Sequence, residues 1–243
     1  MTLAFTTVPT TDSPLSRLDP RWKLVGLGAA IAAAAVVRTP AAAGAALAGG
    51  ALLAAAARLP GRWLAARLGE LLLGLVPLVV LLPLTSGATG AVLAAVILLK
   101  GLAIGLTALV LMATAPLPTT LVAAQRLRVP GRLVQVALLT YRYVFVLAEE
   151  LARLRTALRV RGFRARASGH TYRTVGQVTG TLLVRGTERA ERVAQAMRCR
   201  GFDGRFRTLD DFRTTRADVL ACVGMVVAAA GLVVGDWAIR ASG

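Results

Sequence analysis

Runs of apolar residues dominate the first half of this 243-residue chain and return at its end. From Leu24 to Ala113 they form long blocks broken by short basic or Pro/Gly segments, and another block runs from Val219 to Ile239. Such blocks approach the roughly 20 residues needed to cross a bilayer core, where backbone polar groups must be satisfied within the chain. The fold class that follows is all-α, a polytopic helical membrane protein.

Five spans fit this pattern: Leu24 to Val37, Ala41 to Ala57, Leu71 to Ser86, Ala91 to Ala113 and Asp218 to Ile239. The first is short and the second is largely alanine, which favours insertion only weakly, so the two are expected to form a tight hairpin around Arg38-Thr39-Pro40. Pro77 and Pro83 are expected to kink the third span. Gly101 with Gly105, and Gly231 with Gly235, have the spacing that permits close helix approach. Lys100 is the one cation near the middle of a span; with no carboxylate in that span to suggest a relay, it is read as structural. Leu133 to Leu147 is interrupted by Thr140-Tyr141-Arg142-Tyr143, and is placed at the inner membrane face, continuing into a cytosolic helix.

Charge orients the whole. The formal net charge is +17, and twenty arginines against seven acidic residues lie between Ala115 and Ala217. Basic residues are retained on the cytoplasmic side, so this segment and the amino terminus are expected inside, with the carboxyl end outside. The expected organisation is residues 1–113 as amino-terminal transmembrane helices, 114–217 as cytosolic helices, and 218–243 as a last transmembrane helix. Membrane context ranks nucleic acid last among the acidic partners of so basic a segment. Met1 to Pro20 is polar, with no apolar core of a cleavable signal peptide.

Within the basic segment two stretches nearly repeat: Ala157-Leu158-Arg159-Val160-Arg161-Gly162-Phe163 and Ala196-Met197-Arg198-Cys199-Arg200-Gly201-Phe202. Each reads as a helix terminus, with arginines complementing the negative end of the dipole and a glycine cap. Val144, Leu147, Leu151, Leu154 and Leu158 mark one apolar helical face, and Leu183, Ala190, Val193 and Met197 a second. Glu149 with Arg153, and Glu188 with Arg192, have the spacing of charged pairs on the solvated sides. Packing of the two stripes would hold both arginine tips at a defined separation.

Sites for chemistry are missing from the pattern. There is no phosphate loop, and no nucleophile with a neighbouring base. His170 has no Cys, Asp or Glu close in sequence, and Cys199 and Cys222 fall in no metal or redox spacing. No catalytic residue, metal or bound cofactor is expected.

Several of these motifs resemble one family. Ser16-Arg17-Leu18-Asp19-Pro20-Arg21-Trp22-Lys23-Leu24 is similar to the start of energy-coupling factor (ECF) transmembrane proteins, the T components of bacterial ECF importers. Leu139-Thr140-Tyr141-Arg142-Tyr143 resembles an internal element of theirs, and the two arginine motifs resemble their paired Ala-Arg-Gly signatures, with Val160 and Cys199 where many relatives have Ala. Gly180 to Gly204 is most similar to the cobalt-type CbiQ branch. The resemblance implies a non-catalytic plasma-membrane subunit of an importer for cobalt or nickel. Two ATP-binding-cassette ATPases (CbiO-like) would use the ATP. A substrate-binding membrane component (CbiM-like) would be moved, with room for a small CbiN-like subunit. Arg159, Arg161 and Gly162 would dock one ATPase and Arg198, Arg200 and Gly201 the other. A vitamin or shared ECF module is the nearest alternative. A lipid-acting enzyme, with the arginines on phosphate head groups, is the competing class and lacks an acid, base or metal cluster.

Overall fold

The computed structural model describes residues 13, 15, 16, 18–127, 129–164, 166–202 and 214–242. Residues 1–12, on which the signal-peptide reading rests, and Arg17, Asp203 and Gly204 lie outside the described residues. Among the described residues the chain is all-α, with helices α1 (Pro20–Val36), α2 (Pro40–Ala56), α3 (Gly61–Thr114), α4 (Leu117–Arg126), α5 (Gly131–Val160), α6 (Gly169–Cys199) and α7 (Arg216–Ser242). They fall into two compact units, α1 to α4 with α7, and α5 with α6. The division falls between residues 127 and 128, with α4 packed on α1 in the first unit.

Each sequence-predicted span lies in a helix, with α3 holding two of them. At 54 residues α3 would be about 80 Å long if straight, far beyond a bilayer core. It reverses instead at Gly87, whose φ of 58° and ψ of −137° leave helical geometry and suit a residue without a Cβ. The turn lies at this glycine and not at Pro77 or Pro83, which stay inside the first arm. Gly105 then packs on Leu71 and Gly101 on Leu75, where an added Cβ would fall 2.8 Å from Leu75 Cδ1. This antiparallel register makes residues 61–86 and 88–114 the arms of a helical hairpin. At Gly231 and Gly235, by contrast, an added Cβ would find open space.

By length and composition α3, α5 and α7 can each cross a membrane, with mean hydropathy reaching 2.3 in α3 and α7 but only 1.2 in α5. The core of the first unit is built from small residues. Ala42, Ala43 and Ala46 of α2 and Ala33 and Ala34 of α1 are buried, and Ala46 and Ala34 cluster with Ala103 of α3. Lipid is as apolar as leucine, so helices here gain little by hiding large side chains and much by close backbone contact. This explains how an alanine-rich α2 holds its place. Larger residues fill the layer where Leu27 meets Leu106 and Val110.

Polar side chains fasten the helix ends. Asp19 caps α1, accepting from Arg21 N at 3.0 Å, while its own N–H donates to Asp218 Oδ1 of α7 at 3.1 Å. Lys23, only 1% exposed, donates from Nζ to the carbonyl of Thr114 at 3.0 Å, at the negative end of α3. The Asp-Pro-Arg-x-Lys start thus ties α1 to the end of α3 and the start of α7. Lys100 donates to the Ala35 carbonyl at 2.6 Å, at the carboxyl end of α1. The structural reading of that lysine therefore has a specific partner.

Candidate functional site

The two near-repeats fold into one local structure, formed twice. At the end of α5, Gly162 N donates to Arg159 O at 3.0 Å and Phe163 N to Leu158 O at 3.0 Å. At the end of α6, Gly201 N donates to Arg198 O at 3.0 Å and Phe202 N to Met197 O at 3.1 Å. Both patterns are the Schellman cap, which needs a left-handed residue after the helix. Gly162 (φ 74°) and Gly201 (φ 70°) supply it. The Phe following each glycine and the Leu158 or Met197 five residues earlier are the apolar pair that usually accompanies this cap. The sequence spacing is therefore the spacing of the motif. It fixes the backbone from which the arginines project.

Arg159, Arg161, Arg198 and Arg200 are all exposed and make no ion pair among the described residues. A carboxylate approaching either tip would meet planar donors that can bind it in bidentate fashion. His170 lies beside the first tip, its ring 6.3 Å from that of Phe163. No cluster of His, Cys, Asp or Glu among the described residues has the makings of a metal site.

The helices pair as an antiparallel hairpin. Leu147 comes within 4.0 Å of an added Cβ on Gly186, Glu150 meets Arg185, and Leu139 and Tyr143 share a groove with Val193 and Met197. The tips consequently lie at opposite ends of the pair. By this register Arg159 is abreast of residues near Gly176, which puts Arg198 about 33 Å further along α6. Ser168 starts α6, its hydroxyl accepting from Thr171 N at 3.4 Å.

The expected inner face of α5 is half-buried at Leu151, Leu154 and Leu158, while Val144 and Leu147 stay exposed along a groove. On α6 the half-buried stripe runs through Val178, Leu182, Gly186, Arg189, Val193 and Met197. Val193 and Met197 hold their expected places, but Leu183 is 66% exposed and Ala190 lies toward solvent. The half-buried position is thus Leu182 rather than Leu183, a shift of one residue.

The charged pairs differ too. Arg153 reaches Glu150 at 3.6 Å rather than Glu149, and Glu188 forms no pair with Arg192 among the described residues. Glu150 is instead shared by Arg153 and by Arg185 of α6, with its side chain 16% exposed. The hydrogen bond from Arg185, aided by the nearby guanidinium charges and opposed by burial, holds the Glu150 carboxyl below its ordinary range. Glu150 adjoins Leu151 on the apolar side of α5. An acid so placed was the sequence signal for a cross-helix partner.

The CbiQ cobalt transport protein family profile matches residues 11–209. A cobalt transport protein CbiQ of Rhodobacter capsulatus is 41% identical over 97 residues, 40% of this chain and 39% of that protein. An uncharacterized protein of Methanocaldococcus jannaschii is 30% identical over 96 residues, 40% of this chain and 35% of its own length. The chain thus spans well under half the length of the curated relatives it matches. With the profile covering most of its residues and with helices long and apolar enough to cross a bilayer, the chain is a multi-pass membrane protein that belongs to the CbiQ cobalt transport protein family.

Proposed function

We propose that this chain is the coupling subunit, or T component, of an ATP-driven ECF-type importer for cobalt or nickel, and that it catalyses nothing itself. The duplicated cap carries the reading. A device that takes mechanical work from two similar motors needs two similar contacts, set apart by a stiff body. The α5–α6 hairpin has this form, with an Arg-x-Arg-Gly terminus at either end and the Glu150–Arg185 pair tying the helices together.

In this reading the tips face the cytosol, where the arginines engage acidic grooves on two ATP-binding-cassette ATPases. Arg159, Arg161 and Gly162 serve one and Arg198, Arg200 and Gly201 the other. Closure of the ATPases on ATP draws the tips together, and the small-residue packing of the membrane unit passes the motion to a separate CbiM-like substrate-binding component, with or without a small CbiN-like subunit. Removing one partner of a desolvated interfacial charge pair costs about 2–5 kcal/mol, enough to uncouple such a contact.

The test is charge reversal at one tip at a time. Arg159→Glu and Arg198→Glu should each leave the chain in the membrane while lowering recovery of the ATPases and uptake of radiolabelled cobalt or nickel. Unchanged ATPase recovery and uptake in both variants would reject the assignment.

A further inference from the structure

We propose that a groove between α5 and α6, beside the second arginine tip, binds an anionic phospholipid, with Arg142 and Arg200 on its phosphate and the apolar walls along its upper acyl chain. The proposal rests on the functional reading in one respect only, that α5 begins at the inner membrane face.

The groove has a volume of 370 Å³ and opens along one side of the hairpin. Leu139, Tyr143, Val193 and Met197 give it an apolar wall, and Arg142 and Arg200 line it with two guanidinium groups. Neither arginine has an ion pair among the described residues. An occupant must therefore be apolar over most of its length and anionic at one end.

Two observations favour a lipid over an acidic protein segment. From residue 115 to residue 148 the chain contains no Asp or Glu, yet it carries Arg126, Arg128, Arg132 and Arg142. An unbroken positive field of this kind suits the anionic inner surface of a membrane. The first part of α5 is also apolar enough to enter a bilayer, and it leaves Leu133 63% and Val136 62% exposed. Apolar side chains and tyrosines beside arginines are the composition of a segment lying at the bilayer interface. A groove opening on such a segment is reached by lipid first.

Arg200 belongs to both features. Lipid in this groove would hold that side chain by its phosphate and steady the second tip.

The experiment uses the full chain in nanodiscs, with Trp22, Trp63 and Trp237 replaced by Phe and Tyr143→Trp as the sole fluorophore. Quenching by brominated phosphatidylglycerol should exceed quenching by brominated phosphatidylcholine. Arg142→Gln should reduce that preference about five-fold, as expected for one basic residue at an anionic surface, and Arg142→Lys should retain most of it. Inorganic phosphate should not compete. Equal quenching by the two lipids, quenching by neither, or displacement by inorganic phosphate would each overturn the proposal. A melting temperature unchanged by Arg142→Gln guards against misfolding. ATPase recovery through the Arg159 and Arg198 variants is read separately, so failure of the lipid site leaves the coupling assignment to its own test.

Discussion

Asp236 of α7 holds Thr39 at the head of α2: its Oδ1 accepts from Thr39 N at 2.8 Å and from Thr39 Oγ1 at 2.7 Å. The same oxygen accepts from Arg38 N at 3.0 Å, and Arg240 pairs with the other oxygen. An α7 carboxylate thereby supplies the cap that α2 lacks from its own Thr39. It also places negative charge at the positive end of a helix. Asp236 itself is only 1% exposed.

Asp236→Ala should therefore destabilise the membrane unit by about 1–3 kcal/mol, the cost of leaving the donors of the Arg38–Thr39 turn unsatisfied, since Arg240 itself reaches solvent. Asp236→Asn should cost less, because an amide oxygen still accepts from the backbone. Cys222, buried in α7, offers a direct readout in a Cys199→Ser background. Its alkylation on heating should begin at a lower temperature in the Ala variant than in the Asn variant, and both before the parent. Equal alkylation profiles would show that the cap contributes nothing.

Lys100 acts on the other side of the same turn, donating to the Ala35 carbonyl at the negative end of α1. Cation and carboxylate thus bracket residues 36–39, each at the helix end whose dipole it complements. Lys100→Met is expected to lower stability by about 1–2 kcal/mol and to leave metal uptake per assembled complex unchanged. Uptake abolished in a variant that assembles normally would instead mark Lys100 as part of a transport path.

How far the fold was legible depended on what the physics leaves in local sequence. The spans could be read because apolar run length against bilayer thickness is a local property. The reversal inside α3 falls in the break read between Ser86 and Ala91, at Gly87, a glycine between two apolar runs. The arginine tips were legible because the Schellman cap spaces its residues along one short segment. Asp236 was not, being defined by the Arg38–Thr39 turn of another helix; Glu150 was marked only by its place beside Leu151 on the apolar side, its partner Arg185 lying on α6. The one-residue shift at Leu183 has a similar origin. Helical periodicity allows either Leu182 or Leu183 inward, and the choice is made by packing against α5, a partner outside the local sequence.

The Glu150–Arg185 pair makes the hairpin sensitive to acid. The Glu150 carboxyl titrates below its ordinary range chiefly because Arg185 donates to it, so the folded pair favours the ionised form. Its contribution is present above the ordinary carboxylate range and is lost as pH falls through the depressed value. Spin labels on Ala152→Cys and Leu183→Cys, in a background lacking the native cysteines, lie on facing helices at matching register. Their distance distribution should be narrow at neutral pH and broaden on acidification. Glu150→Gln should be broad throughout, and the swap Glu150→Arg with Arg185→Glu should restore the narrow form. A distribution independent of pH in the parent would remove the pair from any role in setting the hairpin.

The cap glycines separate backbone geometry from side-chain contact at the tips. Gly201 is held at φ 70°, with nothing within 4 Å of an added Cβ. A substitution there therefore meets conformational strain before it meets a neighbour. For an ordinary L-residue the left-handed region costs about 1–2 kcal/mol, and asparagine tolerates it better. If the glycine serves to end α6 and set the direction of Arg198 and Arg200, ATPase recovery should fall in the order Gly201→Asn, Gly201→Ala, Gly201→Val. The same order should hold at Gly162 for the other tip. If the partner instead needs the bare backbone surface of the glycine, Asn and Ala will reverse, because the larger side chain will then obstruct the contact more. Recovery of the ATPase by each variant, at equal amounts of membrane-inserted protein, decides between the two.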